Sequence, residues 1–451
     1  MEKRPVSRVT RDPSPAALKP SPRIATSCEV FADGSAVELL RDSGTGASAL
    51  LVWDGKQATV AKEFTCGGHT YVPCPIPGDM GEAIALPTGH APHGSAQSLF
   101  SEISEAFQRY TSLAEESAFL VTFFVLASWF TDLLPTAPCL LICGPAESEA
   151  RALLRVLRCV CRRALSLAEL TPSSFATLPF SWRPTLLMIQ QEISPSLEGL
   201  LLASNSRGIH LLRNGKLVDP FCAKAVYCPT VLPESHLMKT AITVGISPAT
   251  MALPVFDTQA EEALLDHLVP KLLGYRLANA ARIRSSQFDA PRFTSSLREL
   301  ARSLGAAVEG DEELQSRLER LLEEQNTEAK AERWDFLESV MLEGLLFRCH
   351  QPEKDRLYVG ELTQTVQAIL VGREEKIELE PRAVGAQLKA LGLHTASLGS
   401  AGRGLLLTND IRRRIHDLAR AYGVRALEAP KGGCPLCAEP VGTESVDTKS
   451  S

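Results

Sequence analysis

Apolar and polar positions alternate at period two through the early part of the chain. Residues 36–40 (AVELL), 49–53 (ALLVW), 58–64 (ATVAKEF) and 69–73 (HTYVP) are strand-sized, and Asp33-Gly34, Asp54-Gly55 and Gly67-Gly68 separate or flank them. Strand-length runs punctuated by such dipeptides predict hairpins, so residues 23–96 are expected to form a small antiparallel β module that ends in a Pro/Gly/His-rich linker. From residue 97 the pattern changes. Helical periodicity over 101–133, 150–165 and 196–203 alternates with apolar runs at 140–143, 185–189, 223–228 and 240–244. That alternation predicts a parallel sheet with covering helices over residues 97–257. The apolar stretch 118–130 (AFLVTFFVLASWF) is about 13 residues long, short of the roughly 20 needed to span a bilayer, and is expected to be a buried core helix.

Residues 258–333 read as helical, with Leu264, Leu265, Leu268, Leu272 and Leu273 repeating at helix spacing, and form a lid-like packing unit. Residues 334–425 begin with three helical segments, WDFLESVMLEGLLFRC, GELTQTVQAIL and RAVGAQLKALG. The glycine-marked hairpin HTASLGSAGRGLLLT and a last helix capped at Asn409 follow. Helix, helix, helix and wing is the order of a winged helix-turn-helix. Residues 1–22, rich in Pro, Ser, Arg and Lys, are expected to be disordered. Residues 426–451 are expected to be a polar tail with one CxxC. The fold class is therefore multi-domain α/β.

Composition adds little beyond this. A length of 451 residues suits several domains, and a net charge of −6 excludes a uniformly basic surface while leaving room for a local patch. Twelve scattered cysteines, several in apolar contexts, suit reduced thiols. With no signal peptide and no spanning segment visible, a cytoplasmic location without membrane association is expected.

The most informative segment is residues 140–154, LLICGPAESEARALL. A buried strand followed by a glycine turn and a helix has the frame of a phosphate-binding loop, G-x-x-x-x-G-K-[ST]. In that register Gly144 is the first glycine. Glu149 replaces the second, Ala150 the lysine and Arg151 the hydroxyl residue. The strand at 185–189 should end in Asp-Glu and ends in Gln190 and Gln191. Nucleoside triphosphate hydrolysis needs the lysine for the phosphates, a hydroxyl and a carboxylate for Mg²⁺, and a group that orients water. All are altered, and Glu147 and Glu149 add negative charge where a polyphosphate would lie, with Arg151 and Arg155 as a partial offset. No cofactor is expected. Asn205, Arg207 and, more weakly, Lys239 are candidate γ-phosphate sensors, against the plainer reading of a solvated surface loop.

Residues 381–425 carry eight basic and two acidic side chains. Phosphate contact needs such an excess, and base reading needs Arg, Lys, Gln or Asn on an exposed helix. Arg382, Gln387, Lys389, Arg403, Arg412 and Arg413 are the candidate DNA contacts, with protein interaction as the alternative use of the same module. Cys434 and Cys437 are weak metal candidates. A tetrahedral site wants four ligands, and the sequence shows neither a second pair nor a nearby histidine, so no metal is assigned. His69, His90 and His93 have no ligand-like spacing.

On VWDGK (52–56), CGPAESEARALL (143–154), SNSRG (204–208) and PRAVGAQLKALGL…AGRGLLLT (381–408), the chain resembles bacterial P-loop ATPase-like proteins. These are associated with prophages, plasmids and other mobile elements and are loosely related to primase–helicase replication proteins. The resemblance covers residues 36–437. It implies an ATPase-like core, DNA as a partner and room for homo-oligomerisation. The departures at Glu149, Ala150, Arg151, Gln190 and Gln191 turn the expectation from a competent ATPase to an inactive one, DNA-associated or scaffolding. A divergent ATPase or helicase subunit working through Gln191, Arg207 and Lys239, and a protein-interaction adaptor, are the alternatives.

Overall fold

The computed structural model describes residues 22–42, 44–75, 83–213, 215–231, 235–335, 337–351, 355–373, 379–399, 402–424 and 434–438. The expected disordered stretch at 1–22, but for its last residue, and most of the expected tail lie outside them. By compactness the chain divides into two units: 1–290 with 299–319, and 291–298 with 320–451.

The first unit opens with β1 (Arg23–Thr26), β2 (Cys28–Val30), β3 (Ala36–Arg41), β4 (Ser48–Trp53), β5 (Ala58–Ala61), β6 (Phe64–Cys66) and β7 (His69–Pro73). β2 to β5 make an antiparallel meander, with the expected Asp33-Gly34 turn between β2 and β3 and Asp54-Gly55 between β4 and β5; the β3–β4 turn lies at residues the sequence pattern does not mark. β1, β7 and β6 make a second sheet in which β1 and β7 run parallel, a departure from the all-antiparallel expectation. The linker is docked as well. Ala91 N–H donates to Pro270 O at 2.8 Å, and Gly274 lies so close that a Cβ there would sit 2.0 Å from Ala91 O.

The core follows with α1 (Ala96–Tyr110), α2 (Glu115–Ser128), β8 (Cys139–Cys143), α3 (Glu147–Val160), β9 (Ala164–Ala168), α4 (Pro172–Phe175), β10 (Thr185–Ile189) and α5 (Pro195–Ala203). After these come the hairpin β11 (Leu211–Arg213) and β12 (Lys216–Val218), then β13 (Lys224–Cys228), α6 (His236–Thr240) and β14 (Ile242–Gly245). The single helix expected at 101–133 is two. Thr111 adopts extended backbone and its hydroxyl donates to Phe107 O at 2.6 Å, which ends α1. As expected, α2 is a buried core helix, and among the described residues no helix is long and apolar enough to cross a membrane. Five strands form a parallel sheet in the order β14-β8-β13-β10-β9. Cys139, Leu141, Leu186, Met188 and Val226 alternate along their strands and share one core cluster. β9 falls where a helix was expected to continue to residue 165. The twelve cysteines are free thiols, and burial pushes those of Cys139 and Cys143 up to about 11.

The long helix α7 (Thr258–Arg284) packs on α3 and α1 within this unit, so residues 258–333 are not one separate body. Next are α8 (Ser295–Ala306) and α9 (Glu312–Asp335). The second unit then contains α10 (Leu337–Cys349), β15 (Arg356–Tyr358), α11 (Val359–Gly372), α12 (Pro381–Ala390), β16 (Ala396–Ser397), β17 (Arg403–Leu406), α13 (Asn409–Ala421) and α14 (Pro435–Ala438). The order β15-β17-β16 is an antiparallel sheet, and β15 is a strand that the sequence pattern does not mark. Leu342, Leu345, Leu362, Val366, Val384, Leu388, Leu405 and Ile415 meet in one core. The cap of α13 is Thr408, one residue before the expected Asn409, and its hydroxyl accepts from Ile411 N–H at 3.3 Å.

A buried ion network joins the β meander to the parallel-sheet core. Glu38 of β3 is fully buried and meets three arginines. Arg162 donates to both its oxygens at 2.9 and 2.7 Å, Arg276 of α7 donates at 2.9 Å, and Arg163 also bonds it. Asp132, after α2, accepts from Arg162 at 2.8 Å and from Arg276 at 2.9 and 2.7 Å. Backbone carbonyls of Trp129, Trp182 and Ser27 take guanidinium donors that two carboxylates alone would leave uncompensated. Arg163 sits at φ +51, a conformation that costs a non-glycine residue on the order of 1–3 kcal/mol and that its side-chain bonds to Glu38, Trp182 O and Ser27 O help hold in place.

Burial pushes the Glu38 carboxyl up, but Arg162, Arg163 and Arg276 outweigh burial and hold it at about 2, against an ordinary 4.5. Asp132 is likewise held well below the usual carboxylate range, with burial opposed by Arg276 and Arg162. A carboxylate depressed in the folded state contributes stability that is complete above its unfolded value and is lost as pH falls through the folded value. The urea midpoint should therefore hold steady down to a pH near 4.5 and fall steeply toward about 2. At neutral pH, Glu38→Gln should cost about 3–5 kcal/mol in urea denaturation, because three guanidiniums are left facing one carboxylate.

Candidate nucleic-acid interface and the altered nucleotide site

The turn after β8 keeps its glycine. Gly144 has φ +128, and a Cβ there would lie 2.1 Å from Ile246 O. Its N–H donates to Pro229 O at 3.2 Å and its carbonyl accepts from Tyr227 Oη at 3.0 Å. The turn is short. Only Gly144, Pro145 and Ala146 separate β8 from α3, which starts at Glu147 and not at the expected Ala150. The run ESEARALL favours helix, and Ala150, Leu153, Leu154 and Leu157 bury one face, so the helix covers the stretch where the sequence motif predicts a phosphate loop. Glu149, Ala150 and Arg151 are thus helical residues near the start of α3. Ala150 faces the core. Arg151 bonds Glu147 at 2.9 and 2.6 Å on the surface, and Arg155 and Arg158 bond Glu261 at 3.4 and 2.5 Å. The expected offset by Arg151 and Arg155 is therefore already committed to carboxylates. Glu147 and Glu149 stand at the helix N-terminus, where an anion would otherwise be favoured.

At the end of β10, Gln190 is buried and its side-chain amide faces Leu170 O at 3.5 Å, beyond β9 and away from β8. Gln191 is exposed, and its N–H donates to Glu169 at 3.3 Å. The expected sensor residues Asn205 and Arg207 bond to groups within the protein. Asn205 Oδ1 accepts from Lys224 Nζ, buried at the start of β13. Arg207 donates to Leu134 O at 2.7 Å and Thr131 O at 3.1 Å, and stacks on Phe221 with 4.3 Å to the ring centre. Burial, with Arg183 nearby, pulls its guanidinium below the ordinary range. These residues lie where β8 and β13 begin, whereas Gly144 and Gln190 lie where parallel strands end. A five-residue strand, roughly 16 Å, separates the two edges. Lys239 precedes parallel β14 and falls on the starting edge too. Arg207 is a structural clamp, and Lys224 is the polar core residue that sequence reasoning missed; its place inside an apolar strand, KAVYC, was the available signal.

In the second unit Arg382, Lys389 and Arg403 line one cleft of about 920 Å³, between the start of α11, the exposed side of α12 and the β16–β17 hairpin. Pro381 opens α12, the position where proline's fixed φ and missing N–H cost nothing. Arg382, Gly385 and Lys389 recur at spacings of three and four, so they share a helix face. Arg403 is aimed by bonds to Thr395 O at 2.7 Å and Thr395 Oγ1 at 3.2 Å. His394 adds an imidazole, and among the described residues lining the cleft Glu361 is the one carboxylate. Two of the expected DNA contacts are committed elsewhere. Gln387 turns to the opposite side and donates to Glu338 of α10. Arg412 donates to Leu407 O at 3.0 Å and to Cys349 O, which makes it a packing residue. Arg413 is exposed and outside the cleft. Cys434 and Cys437 lie beside His350 and His416, two histidines distant in sequence.

No known family profile matches the chain, and no curated protein matches it. Among solved structures, the apo A form of the NrS-1 C-terminal region is similar at 11% identity over 82% of this chain and 96% of that one, with a TM-score of 0.37. Drosophila ORC bound to DNA is similar at 13% identity over 76% and 97%, with a TM-score of 0.20. Cdc6p from Pyrobaculum aerophilum is similar at 10% identity over 67% and 92%, with a TM-score of 0.18. With every score below 0.5, the function has to come from this chain's own geometry.

Proposed function

We propose that this chain is a DNA-associated protein of ATPase-like architecture and mobile-element origin, catalytically inactive toward nucleotide, that contacts duplex DNA through a C-terminal winged helix. The observation that carries this is the cleft of Arg382, Lys389 and Arg403. Helix α10, strand β15, helices α11 and α12, and the β16–β17 hairpin follow one another as the parts of a winged helix would. In that module α12 is the helix that enters the major groove and the hairpin lies on the flanking backbone. Arg382 and Lys389 sit on the outward face of α12 and Arg403 at the hairpin, so phosphate neutralisation is their simplest joint role.

The inactive core is supported by the three-residue turn, the helical placement of Glu149 and Ala150, and the turn of Gln190 away from β8. One observation favours a second reading, a divergent ATPase subunit. The five-stranded parallel order places Gly144 at the end of an inner strand, with β13 between β8 and β10, the layout such enzymes use.

Fluorescence anisotropy with labelled duplex DNA at two salt concentrations tests the first reading on the full chain. Binding should weaken steeply with salt. Arg382→Ala combined with Lys389→Ala should lower affinity tenfold or more, and the log–log salt slope should shrink by about 0.9 for each phosphate no longer neutralised. Arg413→Ala should change affinity much less. Salt-independent capture of a polypeptide with no DNA binding would turn the assignment to an adaptor. Incubation with Mg²⁺ and ATP should give no phosphate release above a protein-free control. Turnover that disappears in Gln191→Ala would replace the inactive core with the divergent ATPase.

A further inference from the structure

The second unit brings together four side chains that the sequence keeps far apart. His350 follows α10, His416 is on α13, Cys434 immediately precedes α14 and Cys437 lies within it. One nitrogen or sulfur from each lies within 4.8 Å of all the others. His350 Nε2 is 3.3 Å from His416 Nε2, Cys434 Sγ is 3.4 Å from His416 Nε2, and Cys437 Sγ is 3.3 Å from His350 Nε2.

These separations are those of a tetrahedron's edges. Zinc bonds of about 2.0–2.1 Å to imidazole nitrogen and about 2.3 Å to thiolate sulfur set N–N edges near 3.3 Å and N–S edges near 3.5 Å. An apolar contact or a chance polar cluster has no reason to give two histidines and two cysteines the same short spacing. His416 Nδ1 lies 2.7 Å from Arg412 O, so its N–H donates there and Nε2 keeps its lone pair for a ligand. Arg412 is itself fixed by Leu407 O and Cys349 O. The cysteine turn is closed by Cys437 N–H donating to Cys434 O at 3.0 Å, and Arg420 donates to Leu436 O at 2.7 Å, which holds α14 on α13.

We infer that His350, His416, Cys434 and Cys437 form a structural zinc site that clamps the end of α10, the middle of α13 and the CxxC turn. Two thiolates neutralise the divalent ion, so a neutral centre is placed on a partly buried surface, and four protein ligands leave no open position for catalysis. The site is independent of the DNA reading, since none of its ligands lines the basic cleft.

Metal analysis of the full chain, purified without chelator, should find about one zinc per chain. After removal of zinc and addition of Co²⁺, the protein should show thiolate-to-cobalt charge transfer and the intense visible d–d bands of a tetrahedral site. Cys434→Ser with Cys437→Ser should abolish both. Should that variant fail to fold, His416→Gln gives the same test through loss of the tetrahedral spectrum, and the wild-type cobalt spectrum stands without any variant. Two results overturn the site: wild-type protein that holds no zinc and gives no tetrahedral cobalt spectrum, or zinc that stays at full stoichiometry in the double-cysteine variant. A disulfide between Cys434 and Cys437 that persists under reducing conditions would also overturn it.

Discussion

The first unit depends on one requirement: a fully buried glutamate on a β-meander strand must find cations, and those cations must find a second carboxylate. Glu38 and Asp132 share Arg162 and Arg276, and Arg163 closes the group. Taking five charges out of water costs several kcal/mol per ion, which geometry must offset through paired hydrogen bonds. Here the carboxylates are met by several guanidinium bonds each, and the carbonyls of Trp129, Trp182 and Ser27 take donors that two carboxylates cannot. The network therefore acts as a registration device. The β3 strand, the end of α2, the α3–β9 turn and α7 can only be assembled in one relation, because any other leaves a naked charge inside. That is why the β meander is part of the same compact unit as the parallel sheet and is not a detachable module.

The two ends of that sheet have different fates. At the ends of β8 and β10 the chain is tight: the turn after β8 is three residues long and the nearby arginines are committed to Glu147 and Glu261. At the starting edge, Asn205, Lys224, Arg207 and Phe221 make a polar and aromatic lock that holds the strand starts together. In the second unit the logic reverses. The residues that could have been used for packing, Arg382, Lys389 and Arg403, stand at the rim of a cleft, while Gln387 and Arg412 are used inside.

Much of this is legible in the chain. Residues 185–189 read as a strand and form one at those bounds. The hairpin dipeptides, Pro381 at the start of α12 and the glycines at 399 and 402 fall where turn chemistry puts them. Local patterns carry such information because a strand or turn is decided within a few residues. The start of α3 shows the same reason inverted: a motif template laid over residues 144–151 misplaces it, because the stretch has a stronger helix propensity of its own. What cannot be read is whatever depends on distant partners. Nothing near Glu38 announces Arg276, no local cue distinguishes Gln387 from Lys389, and the two histidines beside the CxxC are distant from it in sequence. The edge on which Asn205 and Arg207 lie follows from chain direction through the sheet, which the sequence implies only after strand order is known.

The short turn at Gly144 also limits what substitution could build there. In an open loop, one substitution could place a lysine toward a ligand. Here position 150 is on the inward face of a helix already formed, with no exposed surface, so a lysine placed there would be driven into the core and not toward a ligand. A hydroxyl at position 151 would sit on an outer helical turn beside Glu147. A phosphate-binding loop at this place would require unwinding that turn and opening the backbone before any side chain could matter. The turn is in this sense locked by backbone geometry, and substitution at positions 149 and 151 alters the surface of α3 without making a cradle.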